Sequence, residues 1–399
     1  MAETLLITIY GNDQPGLTSR FATILAEHGA VLLDIGQAVI HNGLTLGFMV
    51  RVEDAVASEQ AIQHAAWDAG VSARISRISD KLYAEWIARQ HKQRFIVTLL
   101  APHISGAQLA AVTNVFAAQN LNIDIMERLS SRDAAASKTE PRMCIEFTIS
   151  GDTADAPALR RTLLTLADES DFDIAVQADS IFRRNRRLVV FDMDSTLIQM
   201  EVIDELARRA GVYDQVAAIT ASAMRGEVDF EGSFRRRMAL LKGLSASALE
   251  DVAANLPLTQ GTARLMKTLK TLGYKTAILS GGFNYFASKL QTDLGFDYIH
   301  ANELNVRDGM LTGEVHGQIV HGQRKAELLR EIAQQEGIAM DQTIAVGDGA
   351  NDLPMLSIAG IGVAFHAKPL VRQKAQHSIS RMGLDALLYL LGIRDRHVD

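Results

Sequence analysis

The stretch LVVFDMDSTLIQM, residues 188–200, decides how the C-terminal half of this 399-residue chain folds. It begins with an apolar run that predicts a buried strand, and Asp192, Asp194 and Thr196 follow where that strand ends. Desolvating a carboxylate is costly unless a partner charge compensates for it. Two carboxylates at one strand end therefore indicate a site that supplies such a charge.

Further short strands are predicted between this stretch and the C-terminus. Short β-rich runs alternate with helical stretches, and these runs are LVVFD (188–192), KTAILS (275–280), TIAVGD (343–348) and IGVAF (361–365). Because crossovers between parallel strands are right-handed, we expect an α/β fold with a Rossmann-like, doubly wound parallel sheet over residues 186–399. The long helical stretch after the first strand predicts a small helical cap at approximately 200–262. The segment NELNVRDGMLTGEV (302–315) predicts a β-hairpin.

The N-terminal half contains a diverged internal repeat. At an offset of 90 residues, Gly16 aligns with Gly106. Each copy shows the order β-α-β-β-α-β, which is the ferredoxin-like arrangement. We therefore expect a first domain at 1–80, a helical connector at 81–93 and a second domain at 94–180.

The composition excludes several broad classes of protein. The net charge of −7 argues against a general nucleic-acid binder, and no apolar run approaches the roughly 20 residues that span a bilayer. The single cysteine, Cys144, excludes an intrachain disulfide and a cysteine-based metal cluster. The N-terminus carries no basic leader, so we expect a cytoplasmic protein.

A cluster of arginines, RRNRR at 183–187, separates the repeat from the C-terminal half. Four positive charges in five positions can form a nucleic-acid patch. In an acidic chain such a cluster is more often a solvated boundary, and we favour that interpretation while leaving the first one open.

Polar residues collect where the predicted strands end. An SGG motif begins at Ser280, GDGAND (347–352) ends a third strand, and Lys325 starts the helix before that strand. Ligands bind outside the carboxyl ends of strands in such sheets, so these groups should converge with Asp192. Carboxylates there can share Mg²⁺, while a lysine, a small hydroxyl and backbone N–H groups suit phosphate oxygens. The pattern predicts a phosphoryl site.

The two aspartates of the first motif suit covalent catalysis. A metal-held Asp192 can attack phosphorus and form an aspartyl-phosphate. Asp194 should face the same end of the site, because alternate residues of a strand share a direction. It can protonate the leaving oxygen and then deprotonate the attacking water.

In order and spacing, four segments resemble the motifs of the haloacid dehalogenase-like phosphohydrolases; they are FDMDSTL (191–197), ILSGG (278–282), Lys325 and GDGAND (347–352). The resemblance implies that fold for the C-terminal half. It implies that Asp192 is the nucleophile, that Asp194 is the general acid and base, and that Ser280 and Lys325 bind phosphate. The implied Mg²⁺ ligands are Asp192, the carbonyl of Asp194 and Asp348, with Asp352 supporting them.

Within that superfamily, DST (194–196) and EVIDELARRAG (201–211) resemble the phosphoserine phosphatases. The resemblance implies that Glu201 binds a substrate ammonium and that Arg237 binds a substrate carboxylate. The further implied substrate contacts are Met224, Phe230, Gly281 and Asn351.

Ordinary structural roles remain open for the residues of the predicted cap. Glu201 can be a first-turn helix residue that the helix dipole favours. Arg237 can belong to a solvated face, and Phe230 and Met224 can be core residues.

The segment GNDQPGLTSRFATILAEHG (11–29) resembles the first turn and helix of the ACT domain, an amino-acid-binding regulatory module. Gly16 permits the sharp turn, and Thr18 can cap the helix. By resemblance, Asp13, Gly16 and Gly106 are candidate effector contacts, L-serine is the expected effector, and paired modules imply a homodimer. The second copy lacks the D-x-P stretch, which puts ligand binding by that copy in doubt. The alternative is that the modules only dimerise the enzyme.

Together the resemblances imply a Mg²⁺-dependent enzyme that hydrolyses O-phospho-L-serine as the last step of serine biosynthesis. One alternative is a related phosphatase or phosphotransferase for another small amino-acid or alcohol phosphate. Another is an amino-acid-sensing interaction protein whose phosphatase half is inert. Neither nucleic acid nor a membrane is an expected partner.

Overall fold

The computed structural model describes residues 2–89, 92–132, 142–151, 155–225 and 227–398. The chain divides into two compact units, Met1–Lys92 and Gln93–Asp399. The first unit contains one copy of the internal repeat. The second unit contains the other copy together with the C-terminal half, so the predicted domain boundary near residue 180 stays a prediction.

The first unit has the predicted β-α-β-β-α-β order. Its elements are β1 Glu3–Asn12, α1 Leu17–Glu27, β2 Val31–Ile40, β3 Gly43–Val52, α2 Ala55–Asp68, β4 Ser72–Ile78 and a further helix, α3 Asp80–Arg89. The strands form one antiparallel sheet in the order β2-β3-β1-β4. Leu5, Ile7 and Ile9 alternate along β1 and pack into the core with residues of α1 and α2, as a sheet with one covered face requires.

Helix α1 begins without the side-chain cap that the sequence suggested. Its N-cap residue is Gly16, which has a φ of 94° and contributes no side-chain hydrogen bond. The hydroxyl of Thr18 donates instead to Oε1 of Gln37 at 3.1 Å. The predicted capping role of Thr18 is therefore wrong, and the turn depends on the left-handed backbone that glycine adopts without strain.

The second copy repeats this arrangement within the second unit. Its elements are β5 Gln93–Ala101, α4 Gly106–Ala118, β6 Asn122–Arg128, β7 Met143–Gly151, α5 Ala156–Ser170 and β8 Asp173–Ala178. The sheet order, β6-β7-β5-β8, matches that of the first copy. Every residue of β5 from Phe95 to Ala101 is buried, so both faces of this strand are covered.

The C-terminal half alternates strands and helices as predicted. Its elements are β9 Leu188–Phe191, α6 Val202–Ala210, α7 Tyr213–Met224, α8 Phe230–Leu240, α9 Ser247–Ala253, α10 Thr262–Thr271, β10 Lys275–Phe283, α11 Asn284–Leu294, β11 Tyr298–Arg307, β12 Met310–His316, α12 Gly322–Gln335, β13 Thr343–Gly347, α13 Leu353–Ile358, β14 Ile361–Phe365, α14 Pro369–Lys374, β15 His377–Ile379 and α15 Leu387–Leu390.

A seven-stranded sheet organises this half, in the order β12-β11-β10-β9-β13-β14-β15. Six strands are parallel, and only the edge strand β12 is antiparallel. The predicted hairpin is confirmed, because β11 and β12 pair through a turn at Asp308 and Gly309, which both have positive φ. The expected α/β class, doubly wound sheet and ferredoxin-like copies are all present.

Helices α6 to α9 form the predicted insertion between β9 and α10. Two backbone hydrogen bonds close its base, from Gln199 N–H to the Pro257 carbonyl and from Thr259 N–H to the Leu197 carbonyl, both at 2.9 Å. The insertion therefore leaves and rejoins the sheet beside the loop that carries Asp192 and Asp194.

The second copy of the repeat packs directly on the C-terminal half. Leu100, Cys144 and Ala175 belong to the same buried cluster as Tyr389 and residues of the large sheet. The carboxylate of Asp173 accepts hydrogen bonds from the backbone N–H groups of Ser380 and Arg381 at 2.8 and 2.7 Å. This shared core explains why β5 is buried on both faces.

The arginine cluster at 183–187 is only partly the solvated boundary that we expected. Arg184 and Arg187 are exposed, but Arg183 and Arg186 keep 2% and 9% of their surface. Arg183 forms a buried ion pair with Glu146 of β7. The interpretation is wrong for these two residues, because Arg183 pairs with Glu146 of the docked second copy and Arg186 lies against Gly360 of the C-terminal half.

No helix in the described part of the chain is both long and apolar enough to cross a membrane.

The buried imidazole of His377 makes stability depend on pH. Burial, and then the charges of Arg160 and Arg186, lower the pKa of His377 from 6.5 to about 3. Between these values the unfolded chain binds a proton that the folded chain does not, so this contribution to stability is present above pH 6.5 and is lost as the pH falls. From pH 7 to pH 5 the wild type should lose about 2 kcal/mol more than His377→Gln in the free energy of unfolding. Urea unfolding followed by circular dichroism measures this difference.

The control for that experiment is His103→Gln, which alters an exposed histidine of the same unit. It should behave as the wild type does. Equal pH dependence in the wild type and His377→Gln would show that His377 is not held neutral by the fold.

Candidate active site

Three adjacent strands bring the predicted catalytic residues together. Strand β9 lies between β10 and β13, so the residues at their carboxyl ends meet at one edge of the sheet. Asp192 follows β9, Ser280 lies in the last part of β10, and Asp348 follows β13. This edge is where sheets of this type bind ligands.

Three carboxylates, those of Asp192, Asp348 and Asp352, form an acidic cluster in which one oxygen of each lies within 4.8 Å of the others. Burial, and then repulsion from Asp192 and Asp352, raises the pKa of Asp348 to about 8. Burial, and then Asp192, raises the pKa of Asp352 to about 7. A divalent cation would offset the repulsion between these groups, and an all-oxygen donor set is the kind that hard cations take.

The buried ammonium of Lys325 joins this cluster. Its Nζ lies 2.8 Å from Oδ1 of Asp192 and 2.7 Å from Oδ1 of Asp352. Burial alone would lower the pKa of Lys325, but the two carboxylates outweigh burial and raise that pKa. Lys325 therefore stays charged, and it lies in the first turn of α12 as the sequence predicted.

The loop after β9 turns sharply and presents the second aspartate. Ser195 has a φ of 56°, and this left-handed residue reverses the chain. Oδ1 of Asp194 faces the backbone N–H of Val202 at 3.4 Å. Burial, and then the charges of Glu201 and Asp192, raises the pKa of Asp194 well above its usual range. Asp194 is therefore a carboxyl group that can hold a proton.

The hydroxyl of Thr196 connects this loop to the acidic cluster, since it donates to Oδ1 of Asp348 at 3.1 Å. Thr196 is fully buried. The threonine of the first motif thus holds a carboxylate of the neighbouring strand end in place.

The loop of Ser280 is compact. Ser280 is fully buried, and its Oγ accepts a hydrogen bond from the backbone N–H of Gly282 at 2.9 Å. A methyl group on Gly282 would lie 2.5 Å from Oδ2 of Asp194 and 2.8 Å from Cε of Met193. Only a residue without a side chain lets the two loops approach this closely.

Asn302 supports the Ser280 loop, and the sequence analysis missed it. Its Nδ2 donates to the Gly281 carbonyl at 2.8 Å, and its Oδ1 accepts from the Val320 N–H at 2.9 Å. Asn302 keeps only 3% of its surface. The available signal was an asparagine inside a strand, a position that this residue type disfavours.

The cap contributes a carboxylate and a guanidinium to the site. Oε1 of Glu201 accepts from the Ser195 hydroxyl at 2.7 Å, and Glu201 precedes α6 without capping it. Partial burial raises the pKa of the Glu201 carboxylate, and the negative charges of Asp192 and Asp204 raise that pKa further. Burial lowers the pKa of Arg237, and Glu201 is the first of the carboxylates that oppose this effect. Among the described atoms, Nε of Arg237 has no hydrogen-bond partner.

The remaining predicted substrate residues lie around these groups. The rings of Phe230 and Phe234 are stacked at 6.2 Å, and a methyl group on Gly281 would lie 3.1 Å from Cζ of Phe230. Phe230 therefore reaches from the cap to the Ser280 loop. Asn351 is half-buried in the short helical turn before α13. The side chain of Met224 lies outside the described part of the structure.

The candidate effector residues belong to the two copies of the repeat. Asp13 is exposed, and its N–H donates to the Asn42 carbonyl at 2.7 Å. Gly16 begins α1 and Gly106 begins α4, where Ser105 and Gln108 form a capping box. The exposed Gly16 has no neighbouring atom within 4 Å of a would-be Cβ.

Comparison with known proteins supports this description of the chain. Residues 189–357 match the haloacid dehalogenase-like hydrolase family, and residues 3–81 match the ACT domain family. A solved structure of a probable phosphoserine phosphatase from Vibrio cholerae superposes with a TM-score of 0.60. It is 36% identical in sequence over 76% of this chain and 87% of that chain. A haloacid dehalogenase family hydrolase from Salmonella enterica serovar Typhi gives a TM-score of 0.64 at 32% identity, over 74% of this chain and 98% of that one.

Two curated relatives match almost the whole chain. Phosphoserine phosphatase SerB2 of Mycobacterium tuberculosis is 42% identical over 98% of this chain and 93% of its own length. The phosphoserine phosphatase of Streptomyces coelicolor is 41% identical over 99% of this chain and 94% of its own length. The chain therefore belongs to the phosphoserine phosphatase family, as an enzyme with a haloacid dehalogenase-like hydrolase domain and an N-terminal ACT domain.

Proposed function

We propose that this enzyme hydrolyses O-phospho-L-serine to L-serine and phosphate, with Mg²⁺ as its cofactor and an aspartyl-phosphate as its intermediate. The observation that carries the proposal is one buried lysine in contact with two of three clustered carboxylates, below a cap that supplies Glu201 and Arg237. We further propose that the reaction is cytoplasmic and is the last step of serine biosynthesis.

Asp192 is the proposed nucleophile. Its Oδ1 accepts from its neighbour's N–H, that of Met193, at 2.8 Å and also faces Lys325. These contacts fix the orientation of the carboxylate. One oxygen of Asp192 attacks phosphorus, and the bond from phosphorus to the serine oxygen breaks.

Asp194 is the proposed general acid and base. Its raised pKa lets it carry a proton into the first step, where the leaving serine oxygen takes that proton. The resulting carboxylate then accepts a proton from the water that attacks the aspartyl-phosphate, and the bond from phosphorus to the Asp192 oxygen breaks to release phosphate. Ser280 and Lys325 bind the phosphoryl oxygens through both steps.

Asp192, Asp348 and the Asp194 backbone carbonyl are the proposed ligands of Mg²⁺, and Asp352 supports them. The described donor set fits such an ion, because three carboxylates cluster there and a cation would offset the repulsion that raises the pKa values of Asp348 and Asp352. When bound, Mg²⁺ supplies positive charge that screens the attacking carboxylate from the phosphate.

The cap selects a substrate that carries both charges of an amino acid. Glu201 is suited to an ammonium group, and Arg237 is suited to a carboxylate, which a guanidinium binds with two parallel hydrogen bonds. The unpartnered Nε of Arg237 supports this role. Phe230, Gly281, Asn351 and Met224 are proposed to contact the substrate and exclude water.

Regulation by an amino acid is a further part of the proposal. L-Serine is proposed to bind at the ACT domain near Asp13 and Gly16, with Gly106 at the matching position of the second copy, and the modules are proposed to pair in a homodimer. Serine bound there can lower activity only if it binds two states of the enzyme with different affinity.

Removal of the nucleophile should abolish turnover without unfolding the protein. Asp192→Asn should lower kcat for phosphoserine by about 10⁴-fold or more, since an amide cannot form the intermediate. Phosphate release and circular dichroism measure both properties. The control, Asp251→Asn, alters an exposed aspartate of α9 and should keep normal turnover. Substantial turnover by folded Asp192→Asn would refute the nucleophile.

The contact between the two catalytic loops should tolerate no side chain. Gly282→Ala should lower kcat/KM by about 100-fold, because the methyl group displaces Asp194. Gly281→Ala should cost less, since the end of the Phe230 ring can move away. Steady-state kinetics compares the two variants, and equal effects would contradict the described approach of the loops.

Recognition of the substrate's ammonium group and recognition of its carboxylate should depend on different residues. Glu201→Gln should lower kcat/KM for phosphoserine by about 10–100-fold but have little effect on O-phospholactate, which lacks the ammonium group. Arg237→Met should lower it similarly but have little effect on O-phosphoethanolamine, which lacks the carboxylate. Kinetics with the three esters measures both effects.

The matched control for Arg237 is Arg235→Met, which removes an exposed arginine of the same helix and should resemble the wild type. If Glu201→Gln weakened all three esters equally, Glu201 would not be the ammonium site.

Serine inhibition should depend on the turn before α1. Gly16→Asp should abolish inhibition by L-serine while leaving turnover without serine unchanged. Gly29→Asp is the matched control, because Gly29 also has positive φ and open space around a would-be Cβ. Serine titrations of activity test this, and equal inhibition of all three proteins would remove the Gly16 turn from the account.

A further inference from the structure

A cavity lies at the end of the large sheet that is opposite the acidic cluster. It has a volume of about 390 Å³, and its walls come from α5, from β8, from the segment before β9 and from β15. Arg186, Asp341 and Gly360 also line it, and these residues precede β9, β13 and β14. The cavity is therefore at the amino ends of the parallel strands, where the second copy of the repeat meets the sheet.

The cavity contains buried positive charge. Arg186 keeps 9% of its surface, and Arg160 of α5 also lines the wall. Asp341, which is exposed, is the one carboxylate among the described lining residues. The two guanidinium groups and the one carboxylate leave the cavity with a net positive charge, which a bound anion would neutralise.

Four buried polar atoms of this wall have no hydrogen-bond partner within the described residues. They are Nε of Arg160, Nε of Arg186, Nδ1 of His377 and Oε1 of Gln177. Gln177 and His377 keep 5% and 2% of their surface. Folded proteins rarely leave such atoms unpaired, and four of them around one cavity indicate a bound polar group.

Two contacts hold polar side chains of the cavity wall in place. A methyl group on Gly360 would lie 2.5 Å from Nη1 of Arg186, so only glycine leaves room for the guanidinium. Nε2 of Gln177 donates to the Leu390 carbonyl at 2.9 Å, and this bond fixes the amide with its oxygen unused. The site therefore offers donors for an oxyanion and one fixed acceptor.

We propose that this cavity binds a small oxyanion that also carries a hydrogen-bond donor. Arg160 and Arg186 pair with the oxyanion, and the amide oxygen of Gln177 accepts from the donor. Hydrogenphosphate and the carboxylate and ammonium groups of a free α-amino acid share this chemistry, and the volume suits either.

Binding at this place would stabilise the docked position of the second copy. Arg160 belongs to that copy, whereas His377 belongs to the edge strand β15 of the large sheet. A ligand that contacts both Arg160 and His377 stabilises the arrangement in which the second copy packs on the large sheet. The described lining residues include neither Gly16 nor a member of the acidic cluster.

Equilibrium dialysis of the full chain in EDTA against labelled inorganic phosphate tests the proposal. The wild type and Arg161→Met should show one phosphate site per chain that Arg160→Met lacks or binds about tenfold more weakly. Arg161 is the exposed neighbour on the same helix, so it is a matched control. Phosphate bound at the acidic cluster would be common to all three proteins and would cancel.

Two further probes identify the ligand. Sulfate has the shape of phosphate but no donor at neutral pH, so it should bind this site more weakly. Displacement of the phosphate by L-alanine would assign the site to amino acids, and its failure would assign it to phosphate. Equal phosphate binding by the wild type and Arg160→Met would overturn the proposal.

A crystal of the unaltered protein soaked in arsenate, which keeps a hydrogen-bond donor at neutral pH as phosphate does, keeps the proposal testable if Arg160→Met does not fold. An anomalous peak beside Arg160 and Arg186 is expected. Arsenate bound elsewhere in the protein, with only ordered water in this cavity, would overturn the proposal.

Discussion

The site depends on the ion pairs that the fully buried ammonium of Lys325 forms with Asp192 and Asp352. Without Lys325, three carboxylates would share one sheet edge with no described positive charge in contact with them. Even with it, the pKa values of Asp348 and Asp352 are raised, so the cluster still carries more negative charge than its surroundings favour. The fold thus holds a strained group of acids, which is what a site for a cation and a phosphate requires.

Much of this arrangement could be predicted from the sequence. The strand runs, the hairpin and the helical insertion were evident from apolar patterning, because each pattern depends on residues close in the chain. Asp192, Ser280, Lys325 and Asp348 could be grouped because parallel strands place their carboxyl ends at one edge. Asn302 could not be found in this way, since its two hydrogen bonds join Gly281 and Val320 across the fold.

The buried arginines show the limit of such reasoning more clearly. Local composition made 183–187 appear solvated, but Arg183 pairs with Glu146 of the second copy and Arg186 lies against Gly360, so contacts distant in sequence bury both. The packing of the second copy on the large sheet covers the second face of β5, a strand with Thr98 as its one polar residue between Phe95 and Ala101. The first copy has partly alternating burial in β1, so the two copies of the repeat differ in how much of the corresponding strand is covered.

Calorimetric titration of the metal-free enzyme with Mg²⁺, beside its Asp348→Asn variant, tests the central claim most directly. If the carboxylates are held together against their repulsion to receive a cation, the wild type binds one Mg²⁺ per chain and the variant binds it far more weakly. At pH 9, where Asp348 is ionised, the metal-free variant should also have the higher Tm, because one source of repulsion is gone. Unchanged Mg²⁺ affinity in Asp348→Asn, or a metal-free Tm below that of the wild type, would contradict the account.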